Sequence, residues 1–96
     1  MKQYLCLNHD WVEEKEAKIS VFDRGFLFGD AVYEVISVFT GKIFLAEQHL
    51  NRLNNSLKAT QITQPLTQSE WLQLIQDIIN KNNLIDGYVY IQVTRG

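Results

Sequence analysis

Apolar and polar positions alternate along the chain in two different periods, and the change of period marks the elements. From Ala31 to Phe39 the period is two: Val32, Ile36 and Val38 share a face with Glu34, and Tyr33, Val35, Ser37 and Phe39 occupy the other. This predicts a long strand, with Thr40-Gly41 turning the chain and Lys42 to Leu45 returning as its hairpin partner. Upstream, Tyr4 to Leu7 and a stretch beginning at Trp11-Val12 flank the turn-prone Asn8-His9-Asp10, so an opening hairpin is expected.

Helical spacing then takes over. Ala46, Leu50, Leu53 and Leu57 recur on one side of a predicted helix, with Glu47, Asn51, Asn54 and Lys58 on the other. Gln64-Pro65 interrupts, and Thr67-Gln-Ser-Glu70 has the pattern of a capping box. The second helix runs through Trp71, Leu74, Ile75, Ile78 and Ile79 and stops at Asn82-Asn83. Asp86-Gly87 leads into a β-prone run from Tyr88 to the end of the chain. Strands, then two helices, then a strand predict an α+β fold in which both helices pack on one face of an antiparallel sheet. Residues 1–96 carry no repeat or linker and read as one domain. Between the hairpin and the long strand lie a charged stretch, Glu13 to Lys18, and then Ile19 to Phe22. Asp23 to Asp30, with Gly25 and Gly29 among aromatics, is expected to be an ordered loop with special backbone angles.

Composition narrows the function classes. Nine basic against eleven acidic side chains leave a net charge of −2, and no basic block suggests nucleic-acid binding. No apolar run approaches the ~18 residues of a membrane span, and the N-terminus has no apolar core of a signal peptide. Cys6 is the only cysteine, so no disulfide forms within the chain, and between Leu5 and Leu7 it reads as a small buried hydrophobe. A reducing, cytoplasmic location is expected. A domain this small buries only ~60–70% of its unfolded surface, and the final β-prone run ends without a tail, so the chain reads as one lobe of something larger.

Chemistry concentrates in Asp23-Arg-Gly-Phe-Leu-Phe-Gly-Asp-Ala-Val-Tyr-Glu34. Taken by themselves these residues suit a tight turn plugged by aromatics, and the glycines do not have the spacing of a Walker or dinucleotide phosphate loop. The segment resembles the N-terminal signature of the class IV, fold-type IV aminotransferases, in which Asp23, Gly25, Phe26, Phe28, Gly29, Asp30, Ala31, Val32, Tyr33 and Glu34 all match. Thr40 to Phe44, the Glu47-Gln-His-Leu-Asn-Arg-Leu53 helix and the closing Tyr90 to Gly96 match in the same order. Within the family the chain is most similar to D-amino-acid (D-alanine) aminotransferases. Branched-chain aminotransferases and aminodeoxychorismate lyases share much of the pattern.

The resemblance assigns roles. It implies pyridoxal 5'-phosphate as cofactor, with the Arg52 guanidinium on its phosphate; without it, an arginine beside the Leu50–Leu53 stripe reads as a solvated charge. It places Tyr33 at the wall of the active site, with Val35 and Ser37 on the same strand face as further substrate-binding positions. Ser37 departs from the D-alanine enzymes, which carry a lysine there, so a charge-based role at that position is not carried over. Glu34, on the opposite face, reads as structural, paired with Arg24 or a backbone amide. His49 reads as a packed or capping residue, and with His9 in a turn no metal-ligand set is expected. Arg95 ends the last strand, and the residues that trap the substrate carboxylate in the family would follow Gly96.

The family's cofactor-bearing lysine has no counterpart here, since Lys2, Lys15, Lys18, Lys42, Lys58 and Lys81 all lie outside a matching motif. The expectation is therefore the N-terminal domain of a transaminase that moves an amino group between a D-amino acid and a 2-oxo acid. Its lysine-bearing domain lies outside the chain, the full enzyme is a homodimer, and this chain alone is inactive. The alternatives are a branched-chain aminotransferase or a lyase on the same scaffold, and a non-catalytic α+β interaction module.

Overall fold

The computed structural model describes residues 2–96. Strands β1 (Tyr4–Leu7) and β2 (Asp10–Glu13) form the expected hairpin, with Cys6 opposite Trp11. Its turn is Asn8-His9, both at positive φ (50° and 73°), as a tight two-residue connection requires, so Asp10 joins the strand and not the turn. The hairpin does not extend the main sheet. It is a separate two-stranded sheet, while β3 (Ala31–Phe39), β4 (Lys42–Ile43) and β5 (Gly87–Thr94) form a second one in the order β4-β3-β5, antiparallel throughout.

Past a short helix, α1 (Arg24–Phe28), helices α2 (Ala46–Thr60) and α3 (Gln68–Lys81) cover one face of the three-stranded sheet. The core is where the two periods meet. Leu50, Leu53 and Leu57 of α2 and Trp71, Ile75 and Ile79 of α3 pack with Val32, Ile36 and Val38 of β3 and Val89 and Ile91 of β5. The predicted capping box is present: Glu70 N donates to Thr67 Oγ1 at 3.2 Å and Thr67 N to Glu70 Oε1 at 2.8 Å. At the other end of α3 the Asn82 side chain does more than stop a helix. It accepts from Tyr4 N at 2.8 Å and donates to Tyr4 O and Ile78 O, both at 3.0 Å, which pins the hairpin to the helix end. Lys81 adds cation–π contacts to the Tyr4 and Trp11 rings.

Two segments differ from the sequence expectation. The returning strand is two residues long and not four, because Leu45 takes φ 56° and tips the chain straight into α2; Phe44 N still donates to Ser37 O at 2.9 Å. The expected loop Asp23–Asp30 contains a short helix, α1 (Arg24–Phe28), in which Asp23 Oδ1 accepts from Gly25 N at 2.8 Å and Gly29 closes the C-terminus at φ 68°. Asp23 Oδ2 also accepts from Thr94 Oγ1 at 2.9 Å, so α1 lies against the end of β5.

The second sheet face is uncovered. Tyr33, Val35 and Phe39 of β3 and Tyr88 and Tyr90 of β5 are exposed there, as are Ile19, Val21, Phe22, Phe26, Leu27 and Phe28 around α1. No helix among the described residues is long and apolar enough to cross a membrane.

The α1–β5 contact explains Gly25. A Cβ at that position would fall 2.4 Å from Thr94 Cγ2 and 2.9 Å from Asp23 Oδ1, closer than side chains tolerate. Gly25→Ala is expected to destabilise the fold by about 1–3 kcal/mol through overpacking, read as a lowered urea midpoint with unchanged m-value; an unchanged midpoint would show that α1 is not held against β5.

Candidate functional site

The site begins with a carboxylate in an apolar place. Glu34 lies on the helix-facing side of β3, between Val32 and Ile36, and is only 4% exposed. It is the only charged residue in the core among the described residues. A buried carboxylate persists only if its oxygens are satisfied by strong donors, and α2 supplies them. Arg52 donates from Nε to Glu34 Oε2 and from Nη2 to Oε1, both at 2.8 Å, in the bidentate fork that guanidinium and carboxylate geometry favours. His49, one turn earlier on the same helix, places Nδ1 2.7 Å from Oε1.

Protonation follows from this geometry. The hydrogen bonds from Arg52, then those from His49, hold the Glu34 carboxyl below its usual 4.5 against the opposing effect of burial. At neutral pH Glu34 is therefore an ionised acceptor, so His49 must carry its proton on Nδ1 and donate it. The 3.3 Å approach of Arg52 Nη2 to His49 Nδ1 is then a contact of two donors that share one oxygen. Glu34 in turn stabilises the charged form of Arg52.

Arg52 is thus held at its base and open at its tip. Its side chain is 67% exposed, and among the described residues Nη1 has no hydrogen-bond partner. The other anticipated site residues lie across the sheet. Tyr33, Val35 and Ser37 project from the uncovered face of β3, and Tyr33 stacks on Tyr90 with ring centroids 5.8 Å apart. The Tyr33 hydroxyl has no partner among the described residues, whereas Tyr90 donates to Gln92 Oε1 at 2.8 Å. Arg52 and the Tyr33 group therefore occupy opposite layers, joined through Glu34, the chain neighbour of Tyr33. β4 pairs only with Val38 and Phe39, so β3 beside Glu34 has no strand partner on that side.

The pairing expected for Glu34 is corrected. Arg24 bonds Asp30 Oδ2 at 3.3 Å and stacks over Phe28, leaving Glu34 to Arg52 and His49. Arg95 also holds Asp30 Oδ2, at 2.7 Å, and its other nitrogens donate to Thr60 O and Gln61 O, tying the end of β5 to the end of α2. Arg95, more than Arg24, keeps the Asp30 carboxyl below its usual range. Cys6, expected to be buried, is only half-buried in β1, though that burial still pushes its thiol up. Among the described residues no cluster of His, Cys, Asp and Glu has the composition of a metal site.

This scaffold, with an arginine presented from α2 at an open sheet edge, defines a class. Residues 31–96 match the family model for amino-transferase class IV, and the chain belongs to that family. The "Putative branched-chain-amino-acid aminotransferase" of Methanocaldococcus jannaschii is 44% identical over the whole chain and 33% of its own length. The D-alanine aminotransferase of Staphylococcus epidermidis is 37% identical, over 94% of the chain and 32% of its own length. The chain spans about a third of the length of the curated relatives it matches. Among solved structures, the branched-chain amino acid aminotransferase of Escherichia coli superposes with a TM-score of 0.92 at 25% identity, covering all of this chain and 33% of that one. A second branched-chain amino acid aminotransferase, solved as a complex with N-(5'-phosphopyridoxyl)-L-glutamate, gives 0.85 at 26% identity, over 96% of this chain and 32% of that one.

A phosphate needs a positively charged donor that is exposed yet oriented, and Arg52 Nη1 meets both conditions. The cluster itself has a pH signature. Because the folded-state pKa of Glu34 is depressed, its contribution to stability is full above the unfolded value near 4.5 and is lost as pH falls through the lower native value. Glu34→Gln is expected to cost about 1–2 kcal/mol at pH 7, with the gap to the parent closing in acid. Denaturant titrations at pH 7 and pH 3 check this, and a gap independent of pH would contradict it.

Proposed function

We propose that residues 1–96 are the N-terminal domain of a pyridoxal 5'-phosphate-dependent transaminase in which Arg52 holds the cofactor phosphate. The observation that carries this reading is the guanidinium itself, locked on Glu34, which His49 also holds, with Nη1 left free for a ligand. Pyridoxal phosphate, when bound, supplies the electron sink that makes the substrate Cα proton removable. The chain's own residues bind and shape. Arg52 meets the dianion from the helix layer, and Tyr33, Val35 and Ser37 line the substrate side from the sheet layer, with the free Tyr33 hydroxyl available to a polar substrate group. The lysine that carries the cofactor belongs to polypeptide outside residues 1–96, in the same reading.

The substrates are an amino acid and a 2-oxo acid. A D-amino acid donor is the first reading, supported by D-alanine aminotransferases of Staphylococcus epidermidis and Listeria monocytogenes at 37% and 38% identity. A branched-chain donor is the second, favoured by the 44% identity to the Methanocaldococcus protein and by the likeness to solved branched-chain enzymes. A homodimer belongs to the same proposal, supported by the uncovered aromatic face of the sheet.

In the full-length protein, Arg52→Ala is expected to weaken pyridoxal phosphate binding roughly 10–100-fold, the loss that follows removal of a charge-assisted hydrogen bond, measured by titrating the apo form. Unchanged affinity would remove Arg52 from the phosphate site. Amino transfer to 2-oxoglutarate from D-alanine and from L-leucine, compared on one preparation, separates the two donor readings. Residues 1–96 alone, given the cofactor, are expected to transfer no amino group from either.

A further inference from the structure

We infer that Glu34 is a positioning residue for cofactor binding: it orients Arg52 before the phosphate arrives. This rests on the reading of Arg52 as the phosphate ligand. An exposed arginine on a helix samples many rotamers, and ordering it on binding would cost entropy. Here Nε and Nη2 are already committed to the two oxygens of one buried carboxylate, so both the plane and the direction of the guanidinium are fixed. Both Nη1 hydrogens and the second Nη2 hydrogen are left to a ligand.

His49 completes the device. Its Nδ1–H occupies Oε1 alongside Arg52 Nη2, which fixes the carboxylate in plane and satisfies an oxygen that burial keeps from water. Glu34 itself is only 4% exposed, on the same face of β3 as Val32 and Ile36, which are packed into the core. The carboxylate therefore transmits the rigidity of the central strand to the tip of an otherwise solvent-exposed side chain.

The test measures the preference for pyridoxal 5'-phosphate over pyridoxal, which lacks the phosphate, as a ratio of Kd values in the full-length apo protein. Loss of orientation lowers this ratio, whereas general damage to the fold weakens both ligands together. Glu34→Gln is expected to reduce the ratio about tenfold, and Arg52→Ala to reduce it at least as far. If Arg52→Ala collapses the ratio while Glu34→Gln leaves it at the parent value, the positioning role is overturned and the Arg52 reading stands. If Arg52→Ala also leaves it unchanged, the Arg52 reading is what fails. Should Glu34→Gln not fold, the Arg52 Nε–H resonance of the parent protein decides. Slow exchange with water in the apo form is expected, and exchange as fast as that of a free arginine overturns the inference.

Discussion

A carboxylate buried under a helix is the constraint around which the rest of this structure is arranged. Placing Glu34 among Val32, Ile36 and the leucines of α2 would be costly unless strong donors met it there. That requirement fixes the register of α2 on β3: His49 and Arg52, three residues apart, must face the strand at the level of Glu34, and Leu50, Leu53 and Leu57 then fall into the core. Hydrophobic burial holds the layers together, but it tolerates sliding better than a bidentate ion pair does. The pair supplies the specificity that apolar packing lacks.

The same arrangement divides labour between the two faces of one strand. Alternation along β3 sends Glu34 inward to brace an arginine and sends Tyr33, Val35 and Ser37 outward. Because β4 is short, β3 between Ala31 and Ile36 has no strand partner on that side. Where β3 begins and β5 ends, a second group of ion pairs, Asp30 with Arg24 and Arg95, together with Asp23 on Thr94, holds α1 and the chain end in place.

Much of the fold is legible in the sequence because its signals are periodic. The two faces of Ala31–Phe39, the leucine stripe of α2 and the capping box at Thr67 all appear in the structure as the spacing predicts. What stays hidden depends on contacts between residues distant in sequence. The shortness of β4 follows from the left-handed Leu45, for which no glycine or asparagine gives warning, and the separation of the opening hairpin follows from Asn82 gripping Tyr4. Asp23–Asp30 reads as a loop because a five-residue helix leaves no periodic trace. At the site, Arg52 is visible only through family resemblance, and the sequence alone pairs Glu34 with Arg24 or a backbone amide. A lone acid on an apolar strand face, with His and Arg three apart on the next helix, is the available signal for the true pairing.

The most direct measurement is a crystal structure of the full-length protein with pyridoxal 5'-phosphate bound. A phosphate oxygen is expected within hydrogen-bond reach of Arg52 Nη1 while Nε and Nη2 remain on Glu34. A phosphate bound elsewhere, or an arginine that has left Glu34 to reach it, would contradict the central claim.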